Sequence, residues 1–221
     1  MASSACPLWA KSCLGQGHRA FAKVAAMDEK TLAAYERDAA AFATEWESQP
    51  TPVDLQIAVR KFFAPGPSAD IGCGSGRDTA WLVQNGFAAV GYDPSEALLA
   101  QARRLHPGVE FRRASLPELD GVADASFVNV LCETVIMHLE PVVIPAAVRR
   151  LITILKPGGT LYLTWRLTEG TGGRDKHERL YAGFDAKLVL NALKPAILLL
   201  NEEAVSPSSG KLVTRVIARM P

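Results

Sequence analysis

The stretch Asp70-Ile71-Gly72-Cys73-Gly74-Ser75-Gly76 decides the reading of this chain, because a short apolar strand runs straight into three alternating glycines. The helical pattern that begins at Arg77 then follows without a spacer. Glycines reach backbone angles closed to other residues and let the main chain approach a ligand, while the first turn of the helix offers unpaired N–H groups. Asp70, at the strand end, can accept from a ligand's ammonium directly or through water; it would repel a pyrophosphate. A glycine-rich turn alone is a weak signal, since tight strand-to-helix connections also use glycine for steric reasons. The second signal is Asp93 at the end of the next strand, where a carboxylate can accept from both hydroxyls of a ribose. The competing reading makes Asp93 a turn carboxylate in Asp93-Pro94-Ser95.

Outward from this stretch, short apolar runs alternate with helical patterns, which predicts βαβ units and a largely parallel sheet. Leu32, Tyr35, Ala39, Phe42 and Trp46 recur at helical spacing from Asp28 until Pro50 and Pro52 intervene. A second helix is expected over 53–63. Strands are expected at 87–93, 109–112 and 126–132, with helices over 77–85, from Ser95 as N-cap, and over 141–155. KPGG turns into a fifth strand, TLYLTW, followed by the polar loop TEGTGGRDKHE and a last helix over 184–193. AILLL and LVTRVIA, separated by PSSG, predict an antiparallel hairpin that closes the sheet.

The chain has 221 residues, 48% of them hydrophobic and 21% charged, enough for one substantial core. With 24 Lys plus Arg against 23 Asp plus Glu it generates no global field for a polyanion, so nucleic acid is disfavoured as a partner. Cys6, Cys13, Cys73 and Cys132 include no close pair that could begin a metal site or a disulfide framework, which fits a reducing, cytoplasmic setting. No apolar run approaches the roughly 20 residues that span a bilayer. Residues 1–26 carry Lys11, Arg19 and Lys23, no acid and no periodic apolar face. They are expected to be a disordered extension upstream of a start at Met27, in preference to a transit peptide, with residues 27–221 forming a single domain.

The stretches ADIGCGSGRD, VGYDPS, ASFVNVLCETVIMHL and LKPGGTLYLTW resemble the class I S-adenosylmethionine-dependent methyltransferases, and the likeness runs from Asp28 to Pro221. The run GCGSGRDTAWLVQNGF is more loosely similar to small bacterial enzymes of the tellurite-resistance type. The resemblance implies a Rossmann-like α/β sandwich whose seven-stranded sheet has the order 3-2-1-4-5-7-6, with strand 7 antiparallel and an N-terminal helical lid. It also implies that Gly72, Cys73, Gly74, Ser75 and Gly76 wrap the methionine part of S-adenosylmethionine and that Asp93, with Pro94, grips its ribose. Tyr35 would cover the cofactor from the lid, or else simply fill the core. Where the family often has an acid near the adenine, this chain has Arg113-Ala114-Ser115-Leu116, so Ser115, Leu116 or backbone groups must serve.

In an open α/β sheet ligands gather outside the carboxyl ends of the strands, which brings the end of strand four, Cys132-Glu133, close to the transferred methyl. Glu133 and His138 are the candidate acid and base; a structural or cofactor-contacting His138 is the alternative. Displacement at a sulfonium carbon gains most of its rate from positioning, so a base is not obligatory. Substrate contacts are expected from Trp165, Arg166, Arg174, His177, Arg179 and Tyr181, whose cations would suit an anionic acceptor unless they are merely solvated. Together these features predict methyl transfer from S-adenosylmethionine to a small molecule, leaving S-adenosylhomocysteine, without a metal. An NAD(P)-dependent oxidoreductase would want a small residue where Arg77 stands, and a nucleic-acid methyltransferase would want a basic face. A silent S-adenosylmethionine-binding module is the remaining alternative.

Overall fold

The computed structural model describes Met1, residues 27–168 and residues 170–221, so the expected extension at 1–26 lies, apart from Met1, outside the described residues. In chain order the elements are α1 (Glu29–Ser48), α2 (Val53–Phe62), β1 (Pro67–Ile71), α3 (Arg77–Gln84), β2 (Ala88–Asp93), α4 (Glu96–Leu105), β3 (Glu110–Arg113) and β4 (Phe127–Cys132). A single 3-10 turn, Ile136–His138, leads to α5 (Ile144–Thr153), β5 (Leu155–Arg166), β6 (Gly172–Arg174), β7 (Leu180–Ala182), α6 (Lys187–Ala192), β8 (Ile197–Val205) and β9 (Leu212–Arg219).

Seven strands form one sheet in the order β3-β2-β1-β4-β5-β9-β8, and β6 with β7 forms a separate two-stranded ribbon. With the ribbon left aside the order is the expected 3-2-1-4-5-7-6. β9 runs antiparallel to both β5 and β8, and the other pairings are parallel. Strand alternation sends successive side chains to opposite faces. Leu131, Tyr162 and Ile217 meet Leu55, Val59 and Leu82 of α2 and α3 on one face. Val130, Cys132, Leu161, Leu163, Trp165 and Val216 meet Ile144, Val148 and Leu151 of α5 on the other.

α1 lies across α4, with Tyr35, Ala39 and Phe42 against Leu98. Its N-cap Asp28 accepts from the Thr31 amide at 2.8 Å, the capping that starts the helix. The helix expected over 141–155 is shorter, because Pro145 sits in its first turn and Leu155 already pairs with Phe127 in the sheet. The ribbon β6–β7 replaces part of the loop expected to be irregular. Its first strand, Gly-Gly-Arg, offers no apolar alternation to read, and a Cβ at Gly172 would stand 2.0 Å from the Tyr181 carbonyl oxygen. Among the described residues no helix is long and apolar enough to cross a membrane.

Candidate functional site

A cavity of about 320 Å³ opens at the carboxyl ends of β1, β2 and β4. Its floor is the turn after β1. Gly72 has φ +79, and a Cβ there would lie 2.3 Å from Val135 Cγ2; Gly74 has φ +54, and a Cβ there would lie 2.8 Å from the Trp46 ring. Both positions therefore require glycine on conformational and steric grounds. The Gly74 amide donates to Asp93 Oδ2 at 3.0 Å, and Asp93 Oδ1 accepts from the Ser95 amide at 2.9 Å. This fixes the carboxylate at the rim of β2 and joins two consecutive βα turns.

Of three carboxyls in this cavity Asp70 and Asp93 are buried and Glu133 is half-buried, and among the described residues none of them forms an ion pair. Burial raises Asp70 to about 8, with the neighbouring Asp78 charge adding to it, even though Thr79 donates to Asp70 Oδ2 at 2.6 Å. Burial raises Glu133 to about 7 despite the bond it accepts from Thr164 at 2.6 Å, and raises Asp93 to about 6 against its two backbone donors. A cation entering the cavity would stabilise the ionised form of all three. Pro94, Leu98, Ala114, Ser115 and Leu116 form a less polar wall beside Asp93, and the Ser115 hydroxyl donates to the Leu116 carbonyl at 3.0 Å.

α1 roofs the cavity. Trp46 stands over Gly74, the Arg77 guanidinium donates to the Trp46 carbonyl at 3.0 Å, and Ser75 donates to Glu47 at 2.9 Å. Tyr35 bonds to His138 Nε2 at 3.0 Å, and His138 Nδ1 lies 2.5 Å from the Leu180 carbonyl oxygen. A carbonyl only accepts, so Nδ1 carries the hydrogen and Nε2 accepts from the Tyr35 hydroxyl. Burial lowers His138 to about 4, which keeps the ring neutral at physiological pH. The candidate base is thus already engaged at both nitrogens, as the link between α1, the 3-10 turn and β7.

Of the residues expected from the sequence, Tyr35, Asp70, Gly72, Cys73, Gly74, Ser75, Asp93, Pro94, Ser115, Leu116, Glu133, His138, Arg166, Arg179 and Tyr181 line this one cavity. Five do not. Cys132 is wholly buried and Trp165 sits 5.8 Å from Phe184, because alternation turns both toward α5 and α6. Gly76 caps α3 beneath Phe111. Arg174 is bound by Asp28 at 2.7 Å, and His177 rests on Phe42, 3.7 Å from Asp38. Arg179 lines the cavity but is held by Asp175 at 2.6 Å and lies over Tyr35, Phe42 and Tyr181. Trp46 is a site residue that the sequence pattern does not reveal. It shares a helical face with Phe42 and reads as core, and only the chain returning beneath it makes it a roof. Ser206, Ser208, Ser209 and Lys211, at the β8–β9 turn, also line the cavity, although their sequence signals only a turn.

Residues 69–159 match the family model described as Methyltransferase domain. The chain is 33% identical over 128 residues to a trans-aconitate 2-methyltransferase of Methylobacterium nodulans, a match covering 56% of this chain and 47% of that protein. It is 31% identical over 129 residues to a ubiquinone biosynthesis O-methyltransferase of Pseudomonas aeruginosa, covering 56% and 52% respectively. The chain thus spans about half the length of the curated relatives it matches. Among solved structures, the 1,6-didemethyltoxoflavin-N1-methyltransferase of Burkholderia thailandensis, crystallised with S-adenosylhomocysteine, superposes with a TM-score of 0.68. That match has 21% identity and covers 86% of this chain and 87% of that one. Residues 69–159 are thus similar to the methyltransferase-domain family, and the sheet order and the superposition show the fold of that toxoflavin methyltransferase.

Proposed function

We propose that the chain binds S-adenosylmethionine in the roofed cavity and catalyses transfer of its methyl group to a small-molecule acceptor. The observation that carries this reading is a cavity that combines a turn whose glycines leave room for a ligand with three carboxyls without ion pairs, Asp70 and Asp93 buried and Glu133 half-buried. When bound, the cofactor supplies a methyl on a sulfonium carbon, activated for displacement. Asp93 holds the ribose hydroxyls, and the Gly72–Gly76 turn with Asp70 holds the ammonium-bearing end. Leu98, Ser115 and Leu116 flank the base. Glu133 faces the region where acceptor and methyl meet, and Trp46 and Tyr35 exclude water from above. Positioning in a dry cavity is the main source of acceleration, and His138 acts through Tyr35 by fixing the roof.

Calorimetric titration with S-adenosylhomocysteine and with NADH tests the binding step, and labelled-methyl transfer from S-adenosylmethionine to a panel of small metabolites tests turnover. Binding of NADH alone would overturn the proposal. Asp93→Ala should weaken S-adenosylmethionine binding by about 1.5–3 kcal/mol, the loss expected for charge-assisted bonds to hydroxyls. An unchanged affinity in the folded variant would remove Asp93 from the site.

The carboxyls predict a pH dependence as well. Their values in the free protein, about 6 for Asp93, 7 for Glu133 and 8 for Asp70, leave Asp70 mostly protonated and Glu133 partly protonated at neutrality, while Asp93 is mostly ionised. A cationic ligand favours the ionised forms, so binding releases protons and tightens as pH rises from 6 to 8. The slope should reach as much as about tenfold per pH unit for each proton released. Titrations in buffers of different ionisation enthalpy count those protons; a count of zero at pH 7 would contradict the electrostatic account.

A further inference from the structure

The charges around the cavity are segregated. Asp70 and Asp93 stand at the glycine turn and Glu133 accepts from Thr164 of β5, whereas the rim where β5 ends and β9 begins presents Arg166 and Lys211. Of the cavity's other cations, Arg77 pairs with Asp78 at 3.1 Å and Arg179 with Asp175 at 2.6 Å. Among the described residues neither the Arg166 nor the Lys211 side chain makes an ion pair. The Arg166 charge is instead met by the Tyr181 side chain, its guanidinium lying over that ring at 5.1 Å.

Register brings these two cations together. Arg166 stands opposite Val213 in the antiparallel β5–β9 pair, and the Leu167 amide continues the ladder to the Leu212 carbonyl at 3.0 Å. Lys211 lies just outside β9, two residues before Val213, and lines the same cavity, so the register places it near the diagonal position to Arg166. Like charges at that spacing repel unless an anion lies between them. The serines of the same turn add hydroxyls: Ser206 and Ser208 are 3.1 Å apart and both line the cavity.

We propose that Arg166 and Lys211 form the acceptor subsite and that the acceptor carries a carboxylate, a proposal that rests on the cofactor reading above. A planar guanidinium takes both oxygens of a carboxylate, and its stacking on Tyr181 keeps the fork oriented across the cavity mouth. A carboxylate is favoured over a phosphoryl group because each carboxylate sets only one negative charge at the subsite and matches the planar guanidinium fork, whereas a phosphoryl group concentrates up to two charges near Glu133. The acidic floor and the basic rim would then hold cofactor and acceptor at opposite ends, with the methyl between them.

The test is titration of succinate and, separately, of inorganic phosphate into protein saturated with S-adenosylhomocysteine. Succinate should bind in the millimolar range or tighter and several-fold better than phosphate. Its affinity should fall at least about tenfold in Arg166→Gln and further in Arg166→Gln with Lys211→Gln, while S-adenosylhomocysteine affinity stays the same in both variants. Succinate binding that is absent, or equal in wild type and the double variant, overturns the proposal and leaves the cofactor reading intact. Tighter binding of phosphate than of succinate overturns the carboxylate assignment. Failure of S-adenosylhomocysteine itself to bind brings down both.

Discussion

Gly74→Val is expected to raise the dissociation constant for S-adenosylmethionine at least about 100-fold, equivalent to roughly 2.7 kcal/mol. Two costs add. At φ +54 a β-branched residue is strained by about 1–2 kcal/mol or more, and its Cβ would stand 2.8 Å from the Trp46 ring. Relief requires either lifting α1 from the turn or moving the turn away from Asp93, whose Oδ2 accepts from the Gly74 amide. Both responses damage the cavity. Gly86 supplies the control, since it has φ +87 and a Cβ added there would meet nothing within 4 Å. Gly86→Val should therefore cost stability comparably through strain alone and leave cofactor affinity unchanged. Calorimetry on both variants separates the effects, and tight binding by Gly74→Val would place the cofactor elsewhere.

Most of the sheet is legible in the sequence because strand alternation, helix caps and glycine turns are local, and ADIGCGSG with VGYDPS fixes two neighbouring βα turns at once. What stays hidden depends on contacts between distant segments. Cys132 and Trp165 read as site residues because they lie near strand ends, yet parity along β4 and β5 turns both into the core. Arg174 and Arg179 read as free cations, yet Asp28, 146 positions away from Arg174 in the chain, and Asp175 engage them. Lys211 escapes notice because a turn lysine carries no local signal, and only the folded β8–β9 turn brings it to the cavity that Arg166 also lines. His138 is expected near the cavity and lies there, but its two hydrogen-bond partners, Tyr35 and Leu180, come from α1 and β7. These partners change the role that its position alone suggests.

His138→Ala should accordingly lower stability by about 4 kcal/mol at pH 7.5, a drop of roughly 10 °C in melting temperature for a chain of this size. The substitution leaves the Tyr35 hydroxyl and the Leu180 carbonyl without their partner, each worth about 1–3 kcal/mol when buried, and opens a void. Tyr35→Phe removes only one of these bonds and should cost about 1–2 kcal/mol. Both variants loosen α1 over the cavity, so turnover and cofactor affinity should fall together. The pH dependence distinguishes this positioning role from proton transfer. His138 is lowered by burial to about 4 from an ordinary 6.5, so between those values the unfolded chain binds a proton that the folded protein does not. Its contribution to stability is therefore full above about pH 6.5 and is lost as pH falls through 4, by about 3 kcal/mol in all. The raised carboxyls titrate in both proteins and cancel in the comparison. The stability gap between wild type and His138→Ala should hence narrow from about 4 kcal/mol at pH 7.5 to about 1 kcal/mol near pH 4, as read by urea denaturation at each pH. A gap that stays constant with pH, together with an inflection near 6.5 in the wild-type rate profile that vanishes in the variant, would instead make His138 an ordinary titrating base in the transfer step.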